Sequence, residues 1–137
     1  MSLVVDTSVI ISVITNEKSK SKLIEVTEDE DLIAPSSLNW EIGNAFSAMF
    51  KRKKIELDSA KKAIDYYKMI PLRFVDVDIY KSLEISKQYN IYAYDAYFLE
   101  CAMNYKSSLL TIDNSLFDLA KKMNINVIEV WNEYIYI

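Results

Sequence analysis

The sequence contains no histidine, and this absence excludes more chemistry than any other feature of its composition. Without histidine, a chain cannot carry a Ser-His-Asp or Cys-His catalytic arrangement, and nearly all zinc sites are excluded as well. The single cysteine, Cys101, rules out an internal disulfide and favours a reducing compartment. An enzyme built from this sequence would therefore use carboxylates as its catalytic groups, together with a hard metal ion.

Glycine, proline and long apolar runs are also scarce. One glycine and two prolines leave little room for flexible linkers, and 137 residues is the usual length of one domain. No apolar stretch approaches the roughly 20 residues that a membrane crossing needs. The N-terminus lacks the basic, apolar and small-residue order of a secretory signal. We therefore expect a cytoplasmic protein that does not associate with a membrane.

Positive charge is in the minority, since 16 lysines and arginines face 20 acidic residues and the net charge is −4. This balance argues against sequence-independent binding of nucleic acid through a basic surface. It leaves room for a small acidic site that handles phosphate groups through a bound cation.

Short apolar runs alternate with amphipathic segments along the chain. The pattern predicts strands at residues 3–6, 32–35, 72–77, 107–113 and 125–130, with helices between them. This alternation predicts an α/β fold, namely a three-layer α/β/α sandwich with a central, mostly parallel sheet. We assign residues 1–130 to this domain. The aromatic tail 131–137, WNEYIYI, is expected to dock on the domain or on a second subunit.

Two helix starts and one helix face can be predicted in detail. Thr7 or Ser8 is a suitable N-cap for the helix that follows the first strand, and Ser36 or Ser37 for the helix that follows the second. The apolar stripe of the latter helix is predicted to contain Trp40, Ala45, Ala48 and Met49.

Four acidic residues lie beside apolar residues rather than within charge runs: Asp6, Glu41, Asp95 and Asp113. Asp6, within VVDTSVII, either caps a helix or faces a positive charge. Because active sites of parallel sheets gather at the carboxyl ends of the strands, Asp6 and Asp113 are expected at that edge. Carboxylates that converge repel one another unless a cation is present, and Mg²⁺ or Mn²⁺ suits oxygen ligands. Sequence spacing alone does not bring the four acids together.

The motifs VVDTSVII, NWEIGNAF, YDAYFLECA and LLTIDNSLF, in this order, resemble the PIN domain and specifically VapC-like toxin ribonucleases. The resemblance extends from the first strand to INVIEV. It implies that Asp6 and Asp95 are the main ligands of one or two Mg²⁺ or Mn²⁺ ions. It also implies that Glu41 assists and that Asp113 binds the metal directly or through water.

Further implications of the resemblance concern activity and partners. It implies a metal-dependent endoribonuclease, the toxin of a type II toxin–antitoxin pair, with RNA as substrate, a small antitoxin as partner and a homodimeric assembly. Water positioned by Glu41 and Asp113 would attack the phosphodiester in line, leaving a 5′-phosphate and a 3′-hydroxyl. Thr111 matches a hydroxyl often found on the strand before Asp113, and Asn44 is expected to brace the site.

Several alternatives stay open at this stage. One alternative is a solitary RNA-processing nuclease of this family. Another is a non-catalytic PIN-like module that binds RNA or protein. A phosphatase or a phospho-receiver domain is a further alternative, because both have an acid after the first strand. Two features count against it: a phosphatase of the haloacid dehalogenase type would have a second aspartate at the position of Ser8, and a receiver domain would lack the NWEIGNAF motif.

Individual residues have simpler explanations too. Asp6 and Asp95 are possible helix caps, and Asp118 competes with Asp113 as the fourth acid. The basic cluster KRKK, residues 51–54, either contacts RNA or complements a helix end. Tyr92 and Tyr94 either stack on a base or pack against the protein.

Overall fold

The structure, a computed structural model, describes residues 1–130. Four strands and seven helices alternate along this part of the chain. In chain order they are β1 (Ser2–Val5), α1 (Thr7–Ile14), α2 (Lys20–Thr27), β2 (Asp31–Pro35), α3 (Ser37–Lys51), α4 (Leu57–Met69), β3 (Leu72–Val75), α5 (Ile79–Tyr89), α6 (Ala93–Asn104), β4 (Ser108–Leu110) and α7 (Asn114–Lys122).

The four strands form one parallel sheet in the order β3-β2-β1-β4. Val4 lies at its centre, paired with Ile33 on one side and Leu109 on the other. All three side chains are fully buried, because a parallel sheet is covered by helices on both faces. This explains why the central strands read as continuous apolar runs rather than as alternating ones.

The helices form a layer on each face of the sheet. The chain moves from β1 to β2 to β3 in one direction and then returns across the sheet to β4. Right-handed crossovers therefore place α1 to α4 on one face and α5 and α6 on the other. The packing agrees, since α1 contacts α2, α3 and α4, whereas α6 contacts β1, β2 and β4. The predicted three-layer α/β/α sandwich with a parallel sheet is confirmed.

The predicted final strand at 125–130 is reduced to a single parallel bridge to β4. Only Val127 forms a parallel bridge with Leu109, supported by a 2.8 Å bond from Leu109 N to Asn126 O and a 3.0 Å bond from Ile128 N to Leu109 O. The partner strand β4 is too short for a longer ladder. It ends at Leu110, because Thr111 and the residues after it turn towards the end of β1. The predicted docking of the tail 131–137 lies outside the described residues.

The predicted helix caps and one helix face are also corrected. Asp6 itself is the N-cap of α1, in place of Thr7 or Ser8, and its Oδ1 accepts a hydrogen bond from Val9 N. Ser36 is the N-cap residue of α3, as predicted, but its side chain forms no capping hydrogen bond. Trp40 is 72% exposed, because the buried face of α3 repeats every fourth residue, at Leu38, Ile42 and Phe46.

None of the helices in the described part of the chain has the length and apolar character that crossing a membrane requires.

Leu99→Ala should lower the free energy of unfolding by about 3 kcal/mol, because Leu99 is fully buried in α6 and its removal leaves a cavity. The matched control is Met103→Ala on the same helix, where the side chain is 50% exposed. We expect this control to change the free energy by less than about 1 kcal/mol. Urea unfolding followed by circular dichroism measures both. Equal losses in the two variants would contradict the described orientation of α6.

Candidate functional site

The four predicted acids lie at the carboxyl edge of the sheet, where the strand order changes direction between β1 and β4. Asp6 follows β1 directly, and Asp113 lies three residues beyond the end of β4. Glu41 is in the second turn of α3, which follows β2, and Asp95 is in the first turn of α6. Because α3 and α6 cover opposite faces, the acids approach this edge from both sides of the sheet.

Asp6 is held by a network of hydrogen bonds that joins β1 to the segment after β4. The residue is 4% exposed. Its Oδ1 accepts bonds from Ser8 Oγ at 2.6 Å and from Val9 N at 3.1 Å. Its Oδ2 accepts a bond from the Thr111 hydroxyl, and Ser8 Oγ in turn accepts a bond from Ile112 N at 3.1 Å. Both carboxylate oxygens of this buried side chain are therefore satisfied.

Asp113 combines a structural and an electrostatic role. Its Oδ1 accepts a 3.1 Å bond from Leu116 N, so Asp113 is the N-cap of α7. Its own backbone N donates to Thr111 Oγ1 at 3.0 Å. The charge of Asp113 raises the pKa of both Asp6 and Asp95, which places it within the same acidic cluster.

Glu41 has a buried carboxylate oxygen that is not satisfied. Its Oε2 is buried and has no hydrogen-bond partner among the described residues, and the same is true of the neighbouring Thr7 hydroxyl. The pKa of Glu41 is raised to about 7, mainly by burial and also by the charges of Asp95 and Asp6, whereas the Thr7 hydroxyl beside the carboxylate opposes the rise. An unpaired buried carboxylate oxygen is costly, so Glu41 is suited to receive a proton or a cation.

Burial and repulsion from neighbouring acids raise the pKa values of Asp6 and Asp95 as well. Burial raises the pKa of Asp6 to about 6, against the lowering effect of its bonds from Ser8, Thr111 and Val9. Burial is also the main cause of the raised pKa of Asp95. Within residues 1–130 none of the four acids forms an ion pair with a lysine or arginine. The negative charge of the cluster is therefore not neutralised by the described side chains.

Oxygen ligands of this kind suit a hard divalent cation such as Mg²⁺. However, no three acidic or other potential ligand side chains of residues 1–130 are close enough to form a complete metal site. The observed arrangement is a loose cluster, and a cation that bound several of these acids would have to draw their side chains together.

Two predicted accessory residues differ in their outcome. Thr111 is at the centre of the site, where it binds Asp6 directly. Asn44 is exposed, and in the described structure its side chain bonds to none of the four acids. Ser8 was predicted as a helix cap that helps to hold the Asp6 carboxylate, and it links Asp6 to the backbone after β4. The small polar residues around an acid in an apolar run were the signal for this link.

The basic cluster at residues 51–54 lies away from the acids. Glu41 and Lys51 are ten positions apart on the continuous helix α3, which corresponds to about 15 Å along its axis. Cys101 is fully buried in α6, and burial raises the pKa of its thiol to about 12. It is a core residue without a reactive thiolate.

Comparisons with known proteins were made for both sequence and structure. The family model described as the PIN domain matches residues 3–122. No curated protein sequence matches the chain. Among solved structures, PAE2754 from Pyrobaculum aerophilum has a TM-score of 0.68 and 18% identity, with 86% of each chain covered.

Two further structures are similar over almost their full length. The structure of VapBC2 from Rickettsia felis, bound to a DNA fragment from their promoter, has a TM-score of 0.67 and 14% identity, covering 93% of this chain and 98% of that one. FitAcB from Neisseria gonorrhoeae has a TM-score of 0.63 and 13% identity, covering 94% and 98%. At these identities the structural likeness shows a shared fold.

The raised pKa of Asp6 predicts a pH-dependent stability difference between the wild type and Asp6→Asn. Because the folded pKa, about 6, exceeds the ordinary value of 3.8, the folded state binds the proton more tightly. At low pH the protonated Asp6 therefore contributes about 3 kcal/mol to the free energy of unfolding, and this contribution is lost as the pH rises from 4 to 7. Asparagine lacks this titration and is an equally good N-cap.

Urea unfolding in EDTA between pH 4 and pH 8 measures this difference. The Asn variant should gain stability relative to the wild type as the pH rises, whereas the exposed control Asp118→Asn should follow the wild type. Parallel curves for the wild type and Asp6→Asn would show that Asp6 titrates normally in the folded protein.

Proposed function

The chain belongs to the PIN domain family, and on this basis we propose that it is a metal-dependent endoribonuclease, the toxin of a type II toxin–antitoxin pair. PIN domains are generally nucleases. The observation that carries the proposal is the cluster of Asp6, Glu41, Asp95 and Asp113 at the carboxyl edge of the sheet, with raised pKa values at the first three. An RNA-cleaving toxin of this kind acts on RNA in the cytoplasm.

The four acids fit a divalent metal ion in chemical type. All supply oxygen, and the buried Glu41 Oε2 lacks any partner among the described residues. In this proposal Asp6 and Asp95 hold Mg²⁺ or Mn²⁺, with Glu41 and Asp113 beside them. When bound, such an ion supplies positive charge that stabilises the developing charge on a phosphate and lowers the pKa of water.

The side chains of the protein have separate tasks in this scheme. The bonds from Ser8 and Thr111 hold the Asp6 carboxylate in one orientation, so that it is preorganised before substrate binds. Glu41 and Asp113 orient the attacking water, and Glu41 Oε2 accepts its proton.

Partner proteins form the second part of the proposal. An apolar groove of about 580 Å³ lies between α1, α2 and α4, and Tyr66 and Met69 at its rim are largely exposed. A small antitoxin would bury this groove, in line with the resemblance to VapC-like toxins and the fold shared with VapBC2. Ile79, Tyr80 and Leu83 on α5 form another exposed apolar surface, which suits the expected homodimer.

The nuclease activity predicts cleavage of a single-stranded RNA by the purified protein in Mg²⁺, with loss of cleavage in EDTA. Asp6→Asn and Asp95→Asn should each lower kcat by about 100-fold or more, because each removes a carboxylate that would hold the metal ion. The control is Asp118→Asn, an exposed acid on α7, which should cleave at the wild-type rate. Gel analysis of labelled RNA measures the rates. Undiminished cleavage by Asp6→Asn would refute this assignment.

Metal binding separates a nuclease from a non-catalytic module of the same family. Isothermal titration with Mn²⁺ should show binding that weakens at least tenfold in Asp6→Asn and in Glu41→Gln, but not in Asp118→Asn. The affinity should rise between pH 5.5 and pH 8, because Mn²⁺ must displace protons from Asp6 and Glu41, whose pKa values are about 6 and about 7. An Mn²⁺ affinity that is unchanged in Asp6→Asn and Glu41→Gln would favour a non-catalytic module without a carboxylate metal site.

A further inference from the structure

The only glycine of the chain lies at an exposed position in the middle of α3. Gly43 has the negative φ of an ordinary helical residue, so the backbone does not require glycine here. A β-carbon added to it would meet no atom of the described residues within 4 Å, apart from the backbone of α3 itself. Glycine is unfavourable in a helix interior, and packing within one copy of the chain gives no reason for it. A residue without a side chain does allow another backbone to come close.

Gly43 is part of an exposed face of α3 that has the spacing of a seam between two helices. Exposed residues recur along it at intervals of four and three positions, as they do where helices pair. These residues, which we call the α3 face, are Ser36, Trp40, Gly43, Ser47 and Phe50. Trp40 is 72% exposed and Phe50 is 38% exposed, so an aromatic side chain lies on each side of the small residues. A second helix can approach closely at the small residues while the aromatic side chains pack against it.

The two ends of α3 differ in charge, and this difference determines the orientation of a partner helix. The basic cluster, residues 51–54, is exposed at the C-terminal end, and none of its members forms an ion pair with a described acidic side chain. At the other end the exposed Asp76 lines a cavity of about 260 Å³ together with Ser36 and Ser37. A second copy of α3 in antiparallel orientation would bring opposite charges together at both ends. A parallel copy would place the two basic clusters side by side, where they repel one another.

The apolar surface on α5 that suits a homodimer is continuous with the start of α3. Ile79, the first residue of α5, is 60% exposed and lines the same cavity as Ser36 and Ser37. A second copy on the α3 face would therefore be positioned to cover this apolar surface as well. A two-fold symmetric dimer uses the same surface on both copies, so the contact is repeated in each.

The segments that carry the four acids have no cationic side chain of their own. Neither lysine nor arginine occurs in residues 2–17, 36–50, 90–105 and 107–120. Proteins hold the phosphates of nucleic acids largely through lysine and arginine. These segments of a single copy therefore supply acids for a metal ion but no cationic side chain for the phosphates of a substrate.

A second copy can supply this charge, whereas the same copy cannot. Within one copy Lys51 is about 15 Å along the axis of α3 from Glu41, which is farther than a lysine side chain extends. In an antiparallel pair that crosses between Gly43 and Ser47, Lys51 and Arg52 of the second copy are level with residues 38 and 39. They are then within about 5 Å of Glu41 along the axis.

We propose that α3 packs antiparallel against α3 of a second copy, with Gly43 at the crossing, and that the basic cluster of each copy binds substrate phosphates beside the acids of the other. The inference rests on the proposed ribonuclease function, and it builds each site from two chains. Lysine and arginine bind phosphate oxygens by charge and hydrogen bonds, which the four acids cannot do. Gly43 and the basic cluster, which the chemistry within one copy does not use, acquire a joint role.

Sedimentation equilibrium of the full-length protein tests the contact through α3. Gly43→Gln should raise the dissociation constant of the dimer at least tenfold, because a long side chain keeps the second helix away. The same substitution should not lower the urea midpoint of the dissociated protein, since glutamine is a better helix former and has room at this position. The control Ser59→Gln, at an exposed position of α4, should leave the dissociation constant unchanged.

Mixed dimers test whether the basic cluster acts on the other copy. Asp6→Asn lacks an acid and keeps the cluster, whereas Lys51→Gln combined with Arg52→Gln keeps the acids and should cleave RNA at least tenfold more slowly than the wild type. Equal amounts of the two variants are mixed at a dilution at which dimers dissociate, and are then concentrated. Half of the dimers should then contain one copy of each variant, and each of these has one complete site. Cleavage should recover to about one quarter of the wild-type rate.

The matched control removes two positive charges elsewhere on the surface. Lys61→Gln combined with Lys62→Gln, at exposed positions of α4, should cleave at the wild-type rate. Sedimentation at the assay concentration verifies that every variant is dimeric, so that a loss of cleavage reflects the site rather than the assembly.

Each outcome is decisive. A mixture that stays near the mean rate of its two components would overturn the inference, because the basic cluster would then act within its own copy or not at all. An unchanged dissociation constant in Gly43→Gln, or a protein that stays monomeric, would overturn it too. Metal-dependent cleavage by the wild type alongside these results would leave the nuclease proposal standing. Absence of cleavage by the wild type would refute the nuclease and the sharing of charge together, whereas a weakened dimer in Gly43→Gln would still support the contact through α3.

Discussion

The structure depends on how one buried carboxylate is satisfied. Asp6 leaves the central strand β1 at the carboxyl edge of the sheet, and there its oxygens accept bonds from Ser8, Val9 and Thr111. These bonds start α1, end β4 and join two segments more than 100 residues apart. The same contacts hold the carboxylate in place, so the start of a helix and the centre of the site are one structure. Burying the Asp6 carboxylate without hydrogen bonds would be costly, so the segments that donate these bonds must meet at the end of β1.

Hydrogen bonds satisfy Asp6 but do not balance charge. Glu41, Asp95 and Asp113 approach from α3, α6 and the start of α7. The raised pKa values of Asp6, Glu41 and Asp95 reflect burial and the repulsion between neighbouring acids. The segments around them contain neither lysine nor arginine. Under the proposed function a divalent cation supplies the balancing charge.

Prediction from sequence succeeded where the signal is local and failed where a distant segment decides. Apolar runs identified the four strands, and the position of Asp6 and Asp113 after strands predicted their edge of the sheet. The same reasoning extended a strand through residues 125–130, because it had no information on the short length of β4. It also placed Trp40 in a buried stripe, although Leu38, Ile42 and Phe46 form the face that the sheet covers. The ends of strands and the buried faces of helices depend on neighbouring segments that are distant in the sequence, and a local pattern carries no information about them.

The sequence by itself determined the kind of chemistry available to this protein. It has no histidine, it places acids after apolar strands, and its motifs are those of the PIN family. Only the tertiary structure decided that Asp6 is itself the helix cap, that Ser8 and Thr111 hold it, and that Glu41 is left with an unpaired buried oxygen. The reason is physical. Residue types are properties of single positions, whereas burial, hydrogen bonding and repulsion arise between segments that meet only when the chain folds.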